Sequence, residues 1–136
     1  MTTVNVWHIG NLLGALTGAA DEERIAAIPE DDKASLRELF ADRLAPAYQR
    51  LRPHGQNLFK ESLRYFLNAR SATVGDMIAA MQDVPLSSED PYPMLEALWE
   101  AVFPGEDYRL ADTSEYVENN DDATGNEIFA PDGGWP

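Results

Sequence analysis

A chain of 136 residues with 44% apolar, 10% aromatic and 25% charged residues is long enough to bury a core unaided, and its composition is that of a folded domain. The absence of cysteine excludes thiolate catalysis, cysteine–zinc centres and disulfides, while a net charge of −14 repels nucleic acid and anionic lipid on average. No basic leader with an apolar run and no stretch of about 18 apolar residues occurs, so the expectation is a soluble protein without a membrane partner.

Residues 2–6 alternate weakly and suit a short strand or an extended arm. The stretch HIGNLLGAL, residues 8–16, places His8 at a cap position and predicts a helix from about Ile9, with Leu12, Leu13 and Leu16 on one face. A second helix follows Pro29 and an acidic cluster, with Leu36, Leu39, Phe40, Leu44, Ala47, Tyr48 and Leu51 at three- and four-residue spacing; Pro46 inside that stripe predicts a kink or a break. Pro53 and Gly55 punctuate the next boundary, and residues 57–69 form an amphipathic helix with Leu58, Phe59, Leu63, Phe66 and Leu67 on its apolar side.

TVGDMIAAM, residues 73–81, repeats the pattern of the first opener and predicts a further helix capped by Thr73, with Asp76 reaching back. Only Gly and Ala are identical between the two stretches, so shared helix-start chemistry explains the repeat more economically than an internal duplication. A last helix carries Met94, Leu95, Leu98, Trp99, Val102 and Phe103 and stops at Pro104-Gly105. These elements predict a mainly α fold: a compact bundle of five or six short helices over residues 1–105, then an acidic, mostly irregular extension over 106–136 with possible short strands. The spaced apolar residues of that extension favour wrapping over the bundle or a partner, and its Asp, Asn and Gly content favours disorder.

Charge is zoned along the chain. From Lys33 to Arg70 eight bases face three acids, whereas from Glu106 onwards nine acids face only Arg109. Motifs for catalysis are missing: there is no HExxH, P-loop, GxSxG or dinucleotide fingerprint, and His8 and His54 lack acids at ligand spacing. Asn120, Asp122, Thr124 and Gly125 resemble part of a calcium loop, but Pro131 stands where the bidentate Glu is required. No catalytic residue, metal or cofactor is therefore expected.

The favoured expectation is a non-enzymatic, acidic protein–protein interaction module of the inhibitor, immunity or anti-defence kind. It would act as a nucleic-acid mimic and block a partner with a basic groove. Glu115, Glu118, Asp121 and Asp122 would steer association, and Tyr116, Phe129 and Trp135 would anchor it. An assembly chaperone or minor structural factor is one alternative. Another is a nucleic-acid-binding regulator using Arg37, Arg43, Arg50, Lys60, Arg64 and Arg70. Usage of Ala, Asp, Arg and Gly suggests a GC-rich gene, hence the cytoplasm of a bacterial or phage-infected cell.

Overall fold

Two short strands and six α-helices make up the computed structural model, which describes residues 2–16, 22–29, 32–81, 91–121 and 128–129. In chain order these are β1 (Thr2–Val4), α1 (Val6–Leu13) with a closing 3-10 turn, α2 (Glu22–Ala26), α3 (Lys33–Gln49), α4 (Pro53–Ala69), α5 (Thr73–Ala80), α6 (Tyr92–Val102) and β2 (Tyr116–Glu118). The fold is mainly helical, as the apolar spacing predicts. Among the described residues no helix is long and apolar enough to cross a membrane.

Helices α3 and α6 pack most extensively against each other, and α4 lies against α1 and α6. The core between them contains Phe40, Leu44, Phe59, Leu63, Phe66, Leu95, Leu98 and Trp99, all essentially inaccessible to solvent. Tyr48, Phe59, Trp99 and Phe103 form a contiguous aromatic cluster, with Trp99 and Phe103 ring centres 4.5 Å apart.

Several starting points differ from the sequence expectation. Helix α1 begins earlier than Ile9: Asn5 is its cap, accepting from the Trp7 amide at 2.8 Å, and His8 lies buried inside the helix with Nδ1 3.2 Å from Ser62 Oγ. Thr73 is the first helical residue of α5 and not its cap; Ser71 Oγ accepts from the Thr73 amide instead. Helix α2 carried no readable stripe, since five residues make little more than one turn.

Pro46 does not break α3. It sits exposed in the last turn, where one donor is lost, while Tyr48 just beyond is held edge-on against Phe103 at 5.1 Å. Pro53 likewise opens α4 instead of ending a turn, because the first helical position has no intrahelical use for its missing N–H. Gly55 therefore falls inside that first turn.

The two similar openers pack against each other as α1 and α5. A Cβ on Gly10 would meet Met77 Sδ at 2.7 Å and Met81 Sδ at 3.1 Å, whereas one on Gly75 would meet nothing. The shared glycine thus permits close approach in the first stretch and has no such role in the second.

Candidate functional site

Residues after Glu106 run back along α4 as a strap, from its C-terminal end toward its N-terminus. The strap leaves α6 where Trp99 Nε1 donates to the Glu106 carbonyl at 2.7 Å. Asn68 then grips it from both sides, donating to the Tyr108 carbonyl and accepting from the Leu110 amide, each at 2.9 Å. Further along, Tyr116 stacks on Tyr65 of α4 at 5.5 Å, and the two phenols reach opposite ways: Tyr116 donates to Glu61 and Tyr65 to Glu118, both at 2.7 Å.

There the strap pairs with the start of the chain. β2 runs parallel to β1, with Thr2 opposite Tyr116 and Val4 opposite Glu118. Asn5 donates to the Asp121 carbonyl at 2.8 Å, and Asn120 Oδ1 accepts from the Val6 amide at 2.9 Å. Beyond residues 122–127, which lie outside the described residues, Ile128 is buried against the first turn of α4. A Cβ on Gly55 would overlap the Ile128 carbonyl oxygen and come within 2.8 Å of its carbon, so the strap rests on bare backbone.

Alternation along β2 sends Tyr116 and Glu118 toward Tyr65 and leaves Glu115 and Val117 on the opposite side. Val117 is 41% exposed. Asp112, Glu115 and Glu118 are exposed and make no ion pair among the described residues. Asp112 is held below the usual carboxylate range by the Ser114 hydroxyl and amide, and so stays charged. Asp121 is exposed next to them, and Phe129, 47% exposed, lies at the other end of α4. Asp122 and Trp135, expected in the same set, lie outside the described residues.

The basic residues are placed differently. Glu96 and Glu100 of α6 take Lys33 at 3.1 and 3.4 Å; Glu100 also lies 3.7 Å from Arg37, and Glu96 lies 3.4 Å from Arg70. Arg43 pairs with Asp42, Arg64 with Glu61, and Lys60 with Glu106 of the strap at 2.7 Å. Lys60, Arg64 and Arg70 also lie over the rings of Phe103, Trp99 and Tyr92. Of the six bases expected on a nucleic-acid surface, Arg50 makes no ion pair among the described residues; neither does its neighbour Arg52. No signal in the linear sequence singles out those two.

No family model, curated protein or solved structure matches this chain. Function therefore has to be read from the side chains themselves. Among the described residues no group of three His, Asp or Glu side chains gathers in a metal-binding arrangement. Asn120, from the calcium-loop pattern, uses its side chain on the Val6 amide and on Glu118. The resolved shifts move away from neutrality: burial and a carboxylate partner push up the phenols of Tyr48, Tyr65 and Tyr116, and the Arg109 amide and guanidinium hold Asp107 low. Such groups keep one protonation state near pH 7.

Proposed function

We propose that the protein is a non-enzymatic interaction module whose acidic strap engages a basic groove on a protein partner, in the manner of an inhibitor or immunity protein. The observation that carries this reading is the asymmetry of charge neutralisation. The bases of α3 and α4 are mostly met by acids of the same chain, while Asp112, Glu115 and Glu118 stand exposed on one ribbon and make no ion pair among the described residues.

Glu115 lies on the same side of the ribbon as the exposed Val117, while Glu118 stands on the other side, where Tyr65 and Asn120 hold it; a charged group beside a small apolar contact is the arrangement of an interface rim. Long-range attraction to a cationic groove speeds encounter and weakens with salt. A target that handles nucleic acid offers such a groove, and the cytoplasm of a bacterial or phage-infected cell is where it would be met. Tyr116 contributes by fixing the strap to α4 through Glu61 and Tyr65, so that Glu115 and Val117 are presented on a rigid support. Phe129 would act as a separate anchor from the other end of α4.

The test has two stages. The full chain is used to capture its partner from a nuclease-treated bacterial lysate, and association with that partner is then timed for a Glu115→Gln, Glu118→Gln, Asp121→Asn, Asp122→Asn variant. Removing four charges is expected to slow association about tenfold at low salt and flatten its salt dependence. An association rate and salt slope equal to those of the unaltered chain would refute the reading.

A further inference from the structure

Where α3 gives way to α4, the chain keeps two cations exposed. Arg50 and Arg52 are both exposed, flank the buried Leu51, and make no ion pair among the described residues. Their connection is short and held at each step: the Arg50 amide bonds the Pro46 and Ala47 carbonyls, the Leu51 amide bonds Tyr48, and the Arg52 carbonyl accepts from Gln56. The guanidiniums therefore leave a fixed backbone. Facing them is Phe129, 47% exposed, whose position is set by the fully buried Ile128 beside it. Together Arg50, Leu51, Arg52 and Phe129 line an open groove of about 400 Å³.

We propose that this groove binds a nucleoside phosphate, the two guanidiniums holding the phosphate and the Phe129 ring stacking on the base. Its volume is that of an ordinary small-molecule site. Guanidinium forks match phosphate oxygens in pairs, and an exposed aromatic face accepts any base. Leu51 supplies an apolar floor between the two. In a chain of net charge −14 an anion approaches only where a local positive field prevails, and this corner carries, within three residues, two guanidiniums that make no ion pair among the described residues. Helix α4 also begins here without a side-chain cap, so its dipole adds to that field.

The site shares Phe129 with the proposed partner contacts but none of the four carboxylates, whose replacement leaves it intact; either proposal can therefore fail while the other holds. The experiment is an amide-resonance titration of the isotope-labelled full chain with AMP, adenosine, inorganic phosphate, and a terminally phosphorylated single-stranded oligonucleotide beside its unphosphorylated counterpart. AMP is expected to shift the signals of residues 50–56 and 128–129 and to bind at least about tenfold more tightly than adenosine or phosphate alone, because both halves of the groove contribute. The doubly substituted Arg50→Gln, Arg52→Gln chain is expected to bind AMP no better than adenosine. Phe129→Leu is expected to bind AMP no better than phosphate. In both variants the unchanged spread of the remaining signals verifies the fold.

Preference for AMP over the oligonucleotide identifies a free nucleotide as the natural ligand; tighter, terminal-phosphate-dependent binding of the oligonucleotide identifies a strand end. The proposal is overturned if AMP binds no more tightly than phosphate, if the shifted signals lie elsewhere, or if the double arginine variant binds AMP as the unaltered chain does.

Discussion

Replacing Gly55 by Ala sets two effects of opposite sign against each other. Alanine favours a helix over glycine by up to about 1 kcal/mol, and less in a first turn, where Gly55 sits. Against this, the added methyl would occupy the space of the Ile128 carbonyl, a backbone group that cannot swing aside like a side-chain tip. Making room lifts Ile128 from a fully buried site, and returning such a side chain to water costs about 1.5–3 kcal/mol. The net expectation is a loss of about 1–2 kcal/mol, read as a fall in melting temperature of about 3–6 °C.

Thermal unfolding followed by circular dichroism measures the loss, and a double-mutant cycle identifies its origin. Ile128→Ala alone should cost about 2–4 kcal/mol, because it empties a filled site. In the Gly55→Ala background it should cost under about 1 kcal/mol, because the side chain has already left. A Gly55→Ala chain that melts higher than the original, with the full Ile128→Ala cost retained, would refute the seating of the strap on α4.

Two further outcomes follow from the strap's other fastenings. Asn5→Ala removes both the cap of α1 and the donor to the Asp121 carbonyl at a buried position, with an expected cost of about 2 kcal/mol in urea unfolding; an unmoved midpoint would contradict the docking of residues 119–121 on α1. Burial and the Glu118 carboxylate push the Tyr65 phenol up to about 12, above its ordinary value of 10.0, so its stabilisation is complete below pH 10 and lost as pH rises toward 12. In a spectrophotometric titration Tyr65→Phe should remove one tyrosine's share of the absorbance change near pH 12, and an unchanged amplitude there would show that Tyr65 is not a source of it.

The helical bundle was legible because its apolar spacing is strong. Leu36, Leu39, Phe40 and Leu44, or Phe59, Leu63, Phe66 and Leu67, can face inward together only on a helix. Boundaries were less so: Pro53 reads as a stop although it is also a good first helical residue, and Asn5 reads as part of a strand although its side chain caps α1. The path of the strap was not legible, since it depends on Asn68, Glu61 and Gly55, polar or small residues of α4 whose partners lie far along the chain. Zoning of charge was visible, but its neutralisation was not. That Glu96 and Glu100 meet Lys33, Arg37 and Arg70 follows from how α6 lies beside α3 and α4, and only that arrangement isolates Arg50 and Arg52.

The parallel pairing of β1 with β2 also sets an order of events during synthesis. Val6 waits for Asn120, 114 residues later, and at a translation rate of about 5–20 residues per second that is a delay of roughly 6–23 s. Helices α1, α3 and α4 are synthesised within that interval, before the residues that cover Tyr65 and Gly55 of α4 exist. Closure of the strap is therefore a late step, and until residue 120 has been made the strand at Thr2–Val4 has no partner to pair with.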